Sequence, residues 1–466
     1  MSLILRALAR FTAALLALAI PASAQSETIT DEFSACADAA SHVSLEGTQC
    51  ARISAALDHA RTIDGTIELF VRKFPAQGTP KGRLWLIAGG PGESGASFYP
   101  FIETIRAAAP GFDLLVPDHR GTGFSTRLCP EEEDFASEAG SALAGQEWGT
   151  CFGTLAAQAE RTKAFSITNA ARDLDLLISH FDGDGRTYLY GVSYGTQLAL
   201  RMFTLGKQQE IDGLILDSLV PLESNVQLDL SHRSAITDGI GREVLRECDG
   251  RPECRRYFAN SAEDAAHQLL ARSDLEELAG AGLKYRLSAM LDFPETRAMI
   301  PLVIAGLQSG DPAWLEHAMG RLSNMGSLLS PYPQSGSSIP LVSLISRSEN
   351  TARPNLTKRD IEREAEEYLF ASPLPSLLLS GGFPTYQPDA SFGTSPERLP
   401  ATIVLHGTLD PKTPFHGARE HVAALEAAGD VTLVPVERAP HFVLMTAPEV
   451  FERSVREFIG QEMAAP

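Results

Sequence analysis

Short apolar runs alternate with helix-like segments through the first half of the chain. Residues 84–88, 113–117, 187–190 and 213–216 are apolar runs of strand length, and residues 167–181 place apolar side chains at helical spacing. Because parallel strands are joined through helical crossovers, this alternation predicts an α/β protein with a mostly parallel sheet and helices on both faces. Ligands bind beyond the carboxyl ends of such strands, where this chain has glycine-rich or polar clusters.

Further sheet elements flank this pattern. Residues 52–57 and 66–73 alternate in the manner of edge strands and are separated by a turn at 63–65. Near the C-terminus the sheet resumes with two predicted strands and two predicted helices, at residues 402–405, 431–436, 415–428 and 447–462.

A long interruption separates the two parts of the predicted sheet. Its pattern is mainly helical, with helices predicted at 240–247, 262–272, 313–322 and 358–369. An insertion placed above the carboxyl ends of the strands would cap a site there. The predicted organisation is a first core part at 25–221, a helical cap insertion at 222–398 and a second core part at 399–466.

The N-terminal residues 1–24 have the pattern of a secretory signal peptide. Arg6 and Arg10 precede an apolar stretch at 11–20, and an A-x-A cleavage site ends at Ala24. We therefore expect export to the periplasm or the medium, with the mature chain starting at Gln25; an uncleaved anchor is the alternative. No later segment is long and apolar enough to predict membrane insertion.

Charge and cysteine content narrow the function further. The net charge of −20 argues against binding to nucleic acids or anionic membranes, but is compatible with a small substrate.

An even number of cysteines in an exported chain favours disulfides between sequence neighbours, although six cysteines allow 15 pairings. No C-x-x-C pair supports the alternative of a metal site. The expected bonds join Cys36 to Cys50, Cys129 to Cys151, and Cys248 to Cys254.

The candidate nucleophile is Ser193, within Gly191-Val192-Ser193-Tyr194-Gly195. This G-x-S-x-G pattern follows a predicted strand and opens a helix-forming stretch, which is the setting of a nucleophile elbow. An ordinary glycine-rich turn is the alternative for the pattern alone. The strand before it and the helix after it favour an exposed, reactive hydroxyl at a helix N-terminus.

A serine nucleophile needs a base, and the base needs an orienting acid. Asp410 and His441 follow later strands in the chain order Ser, Asp, His. A helix-capping aspartate and a solvated histidine are the alternatives for each residue alone. The rival acid is Asp217, and the rival bases are His406 and His416.

The site also needs N–H donors for an oxyanion. The amide of Tyr194 follows the nucleophile, and the glycine turn after strand 84–88 offers Gly90, then Gly89. A plain tight turn is one alternative for these glycines. A phosphate-binding loop is another, but no lysine and Ser/Thr follow at the required spacing.

Several segments taken together resemble a known family. They are Gly89-Gly90-Pro91-Gly92-Glu93-Ser94-Gly95, Asp118-His119-Arg120-Gly121-Thr122-Gly123-Phe124-Ser125, Ala170-Ala171-Arg172-Asp173-Leu174-Asp175, Gly191-Val192-Ser193-Tyr194-Gly195-Thr196, and His406-Gly407-Thr408-Leu409-Asp410. The chain resembles the α/β-hydrolase fold, and within it the exported proline iminopeptidase and tripeptidyl aminopeptidase group. Ala88 departs from the group, many members of which carry histidine there.

This resemblance implies a serine hydrolase that acts on peptides from a free N-terminus, with Ser193, Asp410 and His441 as its triad. No cofactor or metal is expected. The substrate ammonium needs an anion, for which Glu93 and Glu223 are candidates by position; a solvated surface carboxylate is the alternative for each. A carboxylesterase with the same triad is the second hypothesis, and a non-catalytic binding protein on a hydrolase scaffold is the third.

Overall fold

The sheet holds all nine strands of the described residues. The computed structural model describes residues 31–137, 140, 142–206, 210–379 and 383–464, so the predicted signal peptide lies outside the described residues. The strands are Ser34–Ala35 (β1), Gln49–Ala56 (β2), Thr66–Phe74 (β3), Gly82–Ile87 (β4), Phe112–Asp118 (β5), Arg186–Val192 (β6), Gly213–Asp217 (β7), Ala401–Gly407 (β8) and Val431–Val436 (β9).

The strand order is β1-β2-β3-β5-β4-β6-β7-β8-β9. Strands β1 to β3 pair in antiparallel fashion and join β5 antiparallel, whereas β5, β4, β6, β7, β8 and β9 are parallel neighbours. The predicted mostly parallel sheet is thereby confirmed, and the predicted strand pair at 52–57 and 66–73 forms the β2–β3 hairpin.

Helices lie around the sheet and between its two parts. Those of the sheet region before the insertion are Ile102–Ala108 (α1), Glu147–Ala157 (α2), Ala159–Lys163 (α3), Ile167–His180 (α4) and Tyr194–Thr204 (α5). Between β7 and β8 come Arg233–Asp249 (α6), Pro252–Arg255 (α7), Ala262–Leu270 (α8), Leu275–Ala279 (α9), Leu283–Ala289 (α10), Pro294–Gln308 (α11), Ala313–Leu329 (α12), Ile339–Ser348 (α13), Lys358–Glu367 (α14) and Leu374–Leu377 (α15). The last three are Phe415–Leu425 (α16), Val443–Thr446 (α17) and Pro448–Ala464 (α18). Among the described residues, none of these helices combines the length and the apolar character needed to cross a membrane.

Burial of apolar side chains explains this layering. One cluster includes Leu174 of α4 and Leu198 of α5, and a second includes Ile105 of α1 and Phe451 of α18, so both helix pairs bury their apolar faces against the sheet. The insertion has a third cluster of its own, which includes Ile300 of α11. The α/β fold with a helical region beyond the sheet is therefore confirmed.

The insertion contains more helix than the sequence pattern predicts. Helix α11 was missed because residues 299–304 are almost continuously apolar and therefore lack an amphipathic stripe. Its residues Ile300, Val303 and Ile304 are fully buried in the third cluster. A helix surrounded by other helices needs no polar face, so periodicity alone cannot reveal it.

All six cysteines form the sequence-neighbour disulfides that the sequence favours: Cys36–Cys50, Cys129–Cys151 and Cys248–Cys254. The first joins the residue after β1 to β2, the second joins a loop to α2, and the third joins α6 to α7. Each bond therefore closes a short segment of chain within either the sheet region or the insertion.

The register aligns the carboxyl ends of the central strands. Ile87 pairs with Gly191, and Asp217 pairs with both Val192 and Leu405. The turns after β4, β6, β7 and β8 therefore leave the sheet at one edge. These turns carry the glycine cluster, the candidate nucleophile, the rival acid and the candidate acid.

A buried ion pair connects two of the segments on which the family resemblance rests. Arg120 donates from Nε and Nη2 to the two carboxylate oxygens of Asp173, at 2.6 and 2.7 Å, and from Nη1 to the carbonyls of Leu57 and Ala164. Both ionic side chains are almost fully buried. The pair ties the turn after β5 to helix α4 beneath the site.

Removal of one member of this pair is expected to destabilise the fold. Asp173→Ala leaves the Arg120 guanidinium buried without its counter-charge, and we expect the free energy of unfolding to fall by about 3 to 5 kcal/mol. Urea denaturation followed by circular dichroism measures this change. The exposed pair of Glu160 and Lys163 supplies the control, since Glu160→Ala should cost less than about 1 kcal/mol. Equal losses for both variants would contradict the expectation.

Candidate active site

Ser193 lies on a sharp turn between β6 and α5. Its backbone has φ 53° and ψ −123°, a region that non-glycine residues rarely occupy. A Cβ atom on Gly191 would lie 2.6 Å from the carbonyl oxygen of Gly195, and one on Gly195 would lie 2.3 Å from that of Ile87. The two glycines thus allow the strand and the helix to approach each other, as the elbow pattern predicts.

Asp410 and His441 are directly hydrogen-bonded. Nδ1 of His441 lies 2.7 Å from Oδ2 of Asp410, and the carboxylate is fully buried. Because an ionised carboxylate can only accept, Nδ1 carries the proton and donates it to this bond. In the neutral imidazole, the opposite nitrogen Nε2 then has the free lone pair that can accept a proton.

The turn after β8 holds the Asp410 carboxylate in its ionised form. Oδ1 accepts from the backbone N–H groups of Lys412 and Thr413, at 2.7 and 2.8 Å, while Oδ2 accepts from the Thr413 hydroxyl at 2.8 Å. Burial by itself raises the pKa of Asp410, but the charge and hydrogen bond of His441, together with His406 and the Thr413 N–H, bring that pKa well below its ordinary value.

The loop that carries His441 is fastened to the end of β7. The N–H groups of Val443 and Leu444 donate to the two oxygens of Asp217, and the N–H of Phe442 donates to the Ser218 hydroxyl. Asp217 also accepts from the hydroxyl of Tyr190. The carboxylate of this rival acid is therefore occupied in holding the loop and does not pair with the imidazole.

Neither rival base occupies the position of His441. His406 is fully buried, and its Nε2 contacts the carbonyl oxygen of Thr413 at 2.7 Å, which supports the turn around Asp410. His416 is exposed near the start of α16. His441, by contrast, faces the cavity that contains Ser193.

That cavity, called here the Ser193 cavity, has a volume of about 370 Å³, which is within the range of small-molecule sites. Ser193 and His441 both line it, and the insertion contributes part of its wall through Arg233, Asp292 and Phe293. Among the described residues, the Ser193 hydroxyl makes no hydrogen bond to the imidazole; such bonds are often long before a substrate binds.

Backbone N–H groups without partners lie near the nucleophile. The amide of Tyr194 is the first of helix α5, where helical N–H groups have no intrahelical partner. Gly89 and Gly90 both line the Ser193 cavity, and neither of their N–H groups donates to an atom of the described chain. This turn is close to the nucleophile, because a Cβ atom on Gly89 would lie 3.2 Å from that of Ser193. The arrangement is compatible with the predicted oxyanion donors.

The two candidate anions have different surroundings. Glu93 lines the Ser193 cavity, and no described atom is hydrogen-bonded to its carboxylate. Glu223 lies in a second, smaller cavity of about 60 Å³ that also reaches Ser193. Its oxygens accept from Gln197, from Arg201 and from the N–H of Gly393. Glu93 is therefore available to a ligand, whereas Glu223 is already paired.

Sequence reasoning missed three polar residues of this site. Thr413 and Ser218 hold the acid and the histidine loop, and Arg233 of α6 lines both cavities. Thr413 and Ser218 each lie within three residues of a flagged acid at a strand end, which is a signal that could have found them. No local signal indicated Arg233, because its position depends on how the insertion folds over the sheet.

The Thr413 hydroxyl offers a focused test of the acid's support. Thr413→Val removes one charge-assisted hydrogen bond of about 1.5 kcal/mol, so we expect kcat to fall about 10-fold. The remaining backbone N–H bonds should still hold the carboxylate, which limits the loss. Steady-state kinetics measures the change, and Thr413→Ser, which keeps the hydroxyl, is the control. A Val variant as active as Thr413→Ser would contradict the expected role.

Comparisons with known proteins agree with this fold. A family model described as alpha/beta hydrolase fold matches residues 83–272. Two solved structures of similar architecture are a thermophilic esterase from Thermogutta terrifontis and an esterase from Exiguobacterium antarcticum. The first is 16% identical, with a TM-score of 0.39 over 88% of this chain and 98% of the esterase. The second is 13% identical, with a TM-score of 0.35 over 85% and 96%. These values carry no information on function.

Curated relatives match part of the chain. Serine protease Hip1 from Mycobacterium tuberculosis (strain ATCC 25618 / H37Rv) is 27% identical over 209 residues, and the protein of the same name from Mycobacterium bovis gives the same values. The match covers 41% of this chain and 40% of the relative, so the chain spans less than half the length of the curated relatives it matches. The chain has the alpha/beta-hydrolase fold, and a serine protease is among its distant relatives.

Proposed function

We propose that this protein is a serine hydrolase, and specifically an aminopeptidase that releases N-terminal residues or short peptides through an acyl-enzyme. The observation that carries this proposal is the bonded pair of Asp410 and His441 in the same cavity as Ser193, which lies on a strained elbow. A nucleophile, a base and an acid in these positions are the parts that serine acyl transfer requires.

The proposed reaction has two halves, acylation of Ser193 and hydrolysis of the acyl-enzyme, and the same groups act in both. Ser193 Oγ attacks the scissile carbonyl while His441 Nε2 accepts its proton, and His441 then donates that proton to the leaving amine. In the second half, water attacks the acyl-enzyme while His441 Nε2 accepts its proton, and His441 then returns that proton to Ser193 Oγ. Asp410 orients the imidazole and stabilises its charged form. The N–H groups of Tyr194 and Gly90, or alternatively Gly89, would stabilise the oxyanion of each tetrahedral intermediate.

Substrate choice is the finer part of the proposal. The serine protease relative supports a peptide substrate, and the three disulfides support an exported protein. The insertion is proposed to act as a cap, because α6 and α13 contribute Arg233 and Val342 to the wall of the Ser193 cavity. Glu93 is the proposed anchor for the substrate ammonium, since its carboxylate lines that cavity without a hydrogen-bond partner.

Loss of this anchor is expected to weaken binding of free amines. For Glu93→Gln we expect kcat/KM on a free-amine substrate to fall about 10- to 100-fold, mainly through KM, because one charge-assisted contact is lost. Steady-state kinetics measures the change. Glu103→Gln removes a highly exposed carboxylate of α1 and should change nothing. An equal loss on N-blocked substrates would contradict the anchoring role.

The same anchor predicts a pH dependence. Burial raises the pKa of the Glu93 carboxyl above its ordinary value, although Lys412 and His441 partly counteract this. A carboxyl must be ionised to hold an ammonium, so KM for free amines should rise as pH falls through this raised pKa. Glu93→Gln should remove that rise.

A panel of chromogenic substrates tests the function directly. The purified protein is given aminoacyl and tripeptidyl anilides, their N-blocked versions, and short-chain nitrophenyl esters. Cleavage of the free-amine anilides with rejection of the blocked ones is the expected result. Turnover of esters alone would overturn the peptidase proposal. Failure of all substrates, with no fluorophosphonate label on Ser193, would favour a non-catalytic binding protein.

A carboxylesterase is the second candidate, and the wall of the Ser193 cavity favours it. Several large apolar side chains face this cavity: Phe101, Phe293, Leu329, Val342, Leu374, Phe442 and Met445. Such a wall would suit the acyl chain of an ester. The unpaired Glu93 carboxylate favours the peptidase, because an ester of an apolar acid offers it no counter-charge.

A further inference from the structure

The charged groups around Ser193 are not fully paired with one another. Nζ of Lys412 lies 3.2 Å from Oδ2 of Asp292, and both residues line the Ser193 cavity. Glu93 also lines it and is close enough to Lys412 for their charges to interact. The side chain of Arg233, the fourth of these charged residues, has neither a hydrogen bond nor an ion pair with any atom of the described residues.

Arg233 is held in place despite this lack of partners. It is the first residue of α6, and its Nε is buried without a hydrogen-bond partner. Asp410 and Asp292 are near enough to attract its charge but lie beyond ion-pair distance. Burial lowers the pKa of Arg233 to about 10, so the side chain remains a cation near neutral pH. A half-buried guanidinium whose buried Nε–H has no acceptor lacks a stabilising anion.

Arg233 lies where a bound substrate would be able to supply such an anion. The Ser193 cavity and the second cavity share Gly90, Ser193, Arg233 and Lys412. Arg233 therefore borders both of the cavities that reach the nucleophile. A guanidinium presents several N–H donors in a fixed plane, which matches the two oxygens of a carboxylate.

We propose that Arg233 forms a carboxylate-binding subsite, and that the preferred substrates are short peptides carrying a free carboxylate as well as a free amine. This inference rests on the proposed peptidase function and extends it. Glu93 and Arg233 line the same cavity and have opposite charges, so a zwitterionic peptide can satisfy both. The carboxylate can come from the peptide C-terminus or from an acidic side chain.

Matched peptides test the subsite on the intact protein. Trialanine is compared with its C-terminal amide, and amidated peptides with aspartate are compared with those carrying asparagine at the same place. We expect kcat/KM for the free acid to exceed that for the amide about 10- to 100-fold. Preference for trialanine over its amide identifies the peptide C-terminus as the carboxylate that Arg233 binds. Preference for aspartate over asparagine identifies a side-chain carboxylate instead.

Substitutions on α6 assign any preference to Arg233. In Arg233→Gln the acid-to-amide ratio should fall to about one, and Arg233→Lys should keep part of it. Arg246→Gln removes an equal charge from the exposed far end of the same helix and should leave the ratio unchanged. Binding of both peptides to Ser193→Ala, measured by calorimetry, should show the same preference and the same loss when Arg233→Gln is added.

The outcomes separate this inference from the proposed function. Equal rates for acid and amide in the unaltered protein, or a preference that persists in Arg233→Gln, would overturn the subsite while leaving the peptidase intact. Rejection of every peptide, with turnover of esters, would overturn the peptidase and the subsite together.

Discussion

Replacing Ser193 with alanine is expected to abolish turnover, with kcat falling roughly 10⁶-fold toward the level given by binding and oxyanion stabilisation alone. The elbow places this hydroxyl in the cavity that His441 faces, and alanine offers no atom for acyl transfer. The fold should persist, since the substitution removes only one oxygen atom. The flanking glycines, which allow the strand and the helix to approach each other, are unchanged. Active-site titration and fluorophosphonate labelling measure the loss.

Two further variants accompany this substitution: one tests whether Ser193 and His441 act together, and the other tests whether any serine hydroxyl in the cavity matters. Adding His441→Ala to Ser193→Ala should lower kcat little further, because groups that act as one unit lose most of their effect with the first substitution. Ser97 also lines the Ser193 cavity, so Ser97→Ala tests whether any serine hydroxyl there matters and should change kcat less than 3-fold. Persistent labelling of Ser193→Ala would contradict the assignment of the nucleophile.

The sheet could be predicted, and a candidate site placed at one of its edges, because both inferences depend on local patterns. Apolar runs of strand length predict β4, β5, β6 and β7, and parallel pairing brings their carboxyl ends to one edge. The positions of Ser193, Asp410 and His441 follow from that edge and from chain order. The bond between Asp410 and His441 was the part of this prediction that needed coordinates.

The insertion could not be predicted to the same depth. Helix α11 is buried on most sides, so its sequence lacks the polar face that periodicity detects. Arg233 reaches the candidate site because α6 contacts the turn after β8, where the Thr237 hydroxyl donates to the carbonyl of Pro411, and no local pattern encodes that contact. Two of the segments that carry the family resemblance have a structural role here: Arg120 and Asp173 bond to each other and line neither the Ser193 cavity nor the second cavity.

Asp410→Asn should cause the second-largest loss, with kcat falling about 10⁴-fold while the fold remains intact. Asparagine has nearly the same shape, but its amide carries no charge and can donate to Nδ1. The imidazole would then carry its proton on Nε2, the atom that must accept from Ser193. The loss should therefore appear mainly in kcat rather than in KM.

The matched variant is Asp217→Asn, because this rival acid is equally buried and also ends a strand. Its two oxygens accept the N–H groups of Val443 and Leu444, so the amide would lose one acceptor and weaken the attachment of the His441 loop. We expect a lower melting temperature and a loss of kcat below about 100-fold, since one hydrogen bond is worth about 1 to 3 kcal/mol. If Asp217→Asn lost far more activity than Asp410→Asn, Asp217 would be the orienting acid, and the bond between Asp410 and His441 would have to be structural.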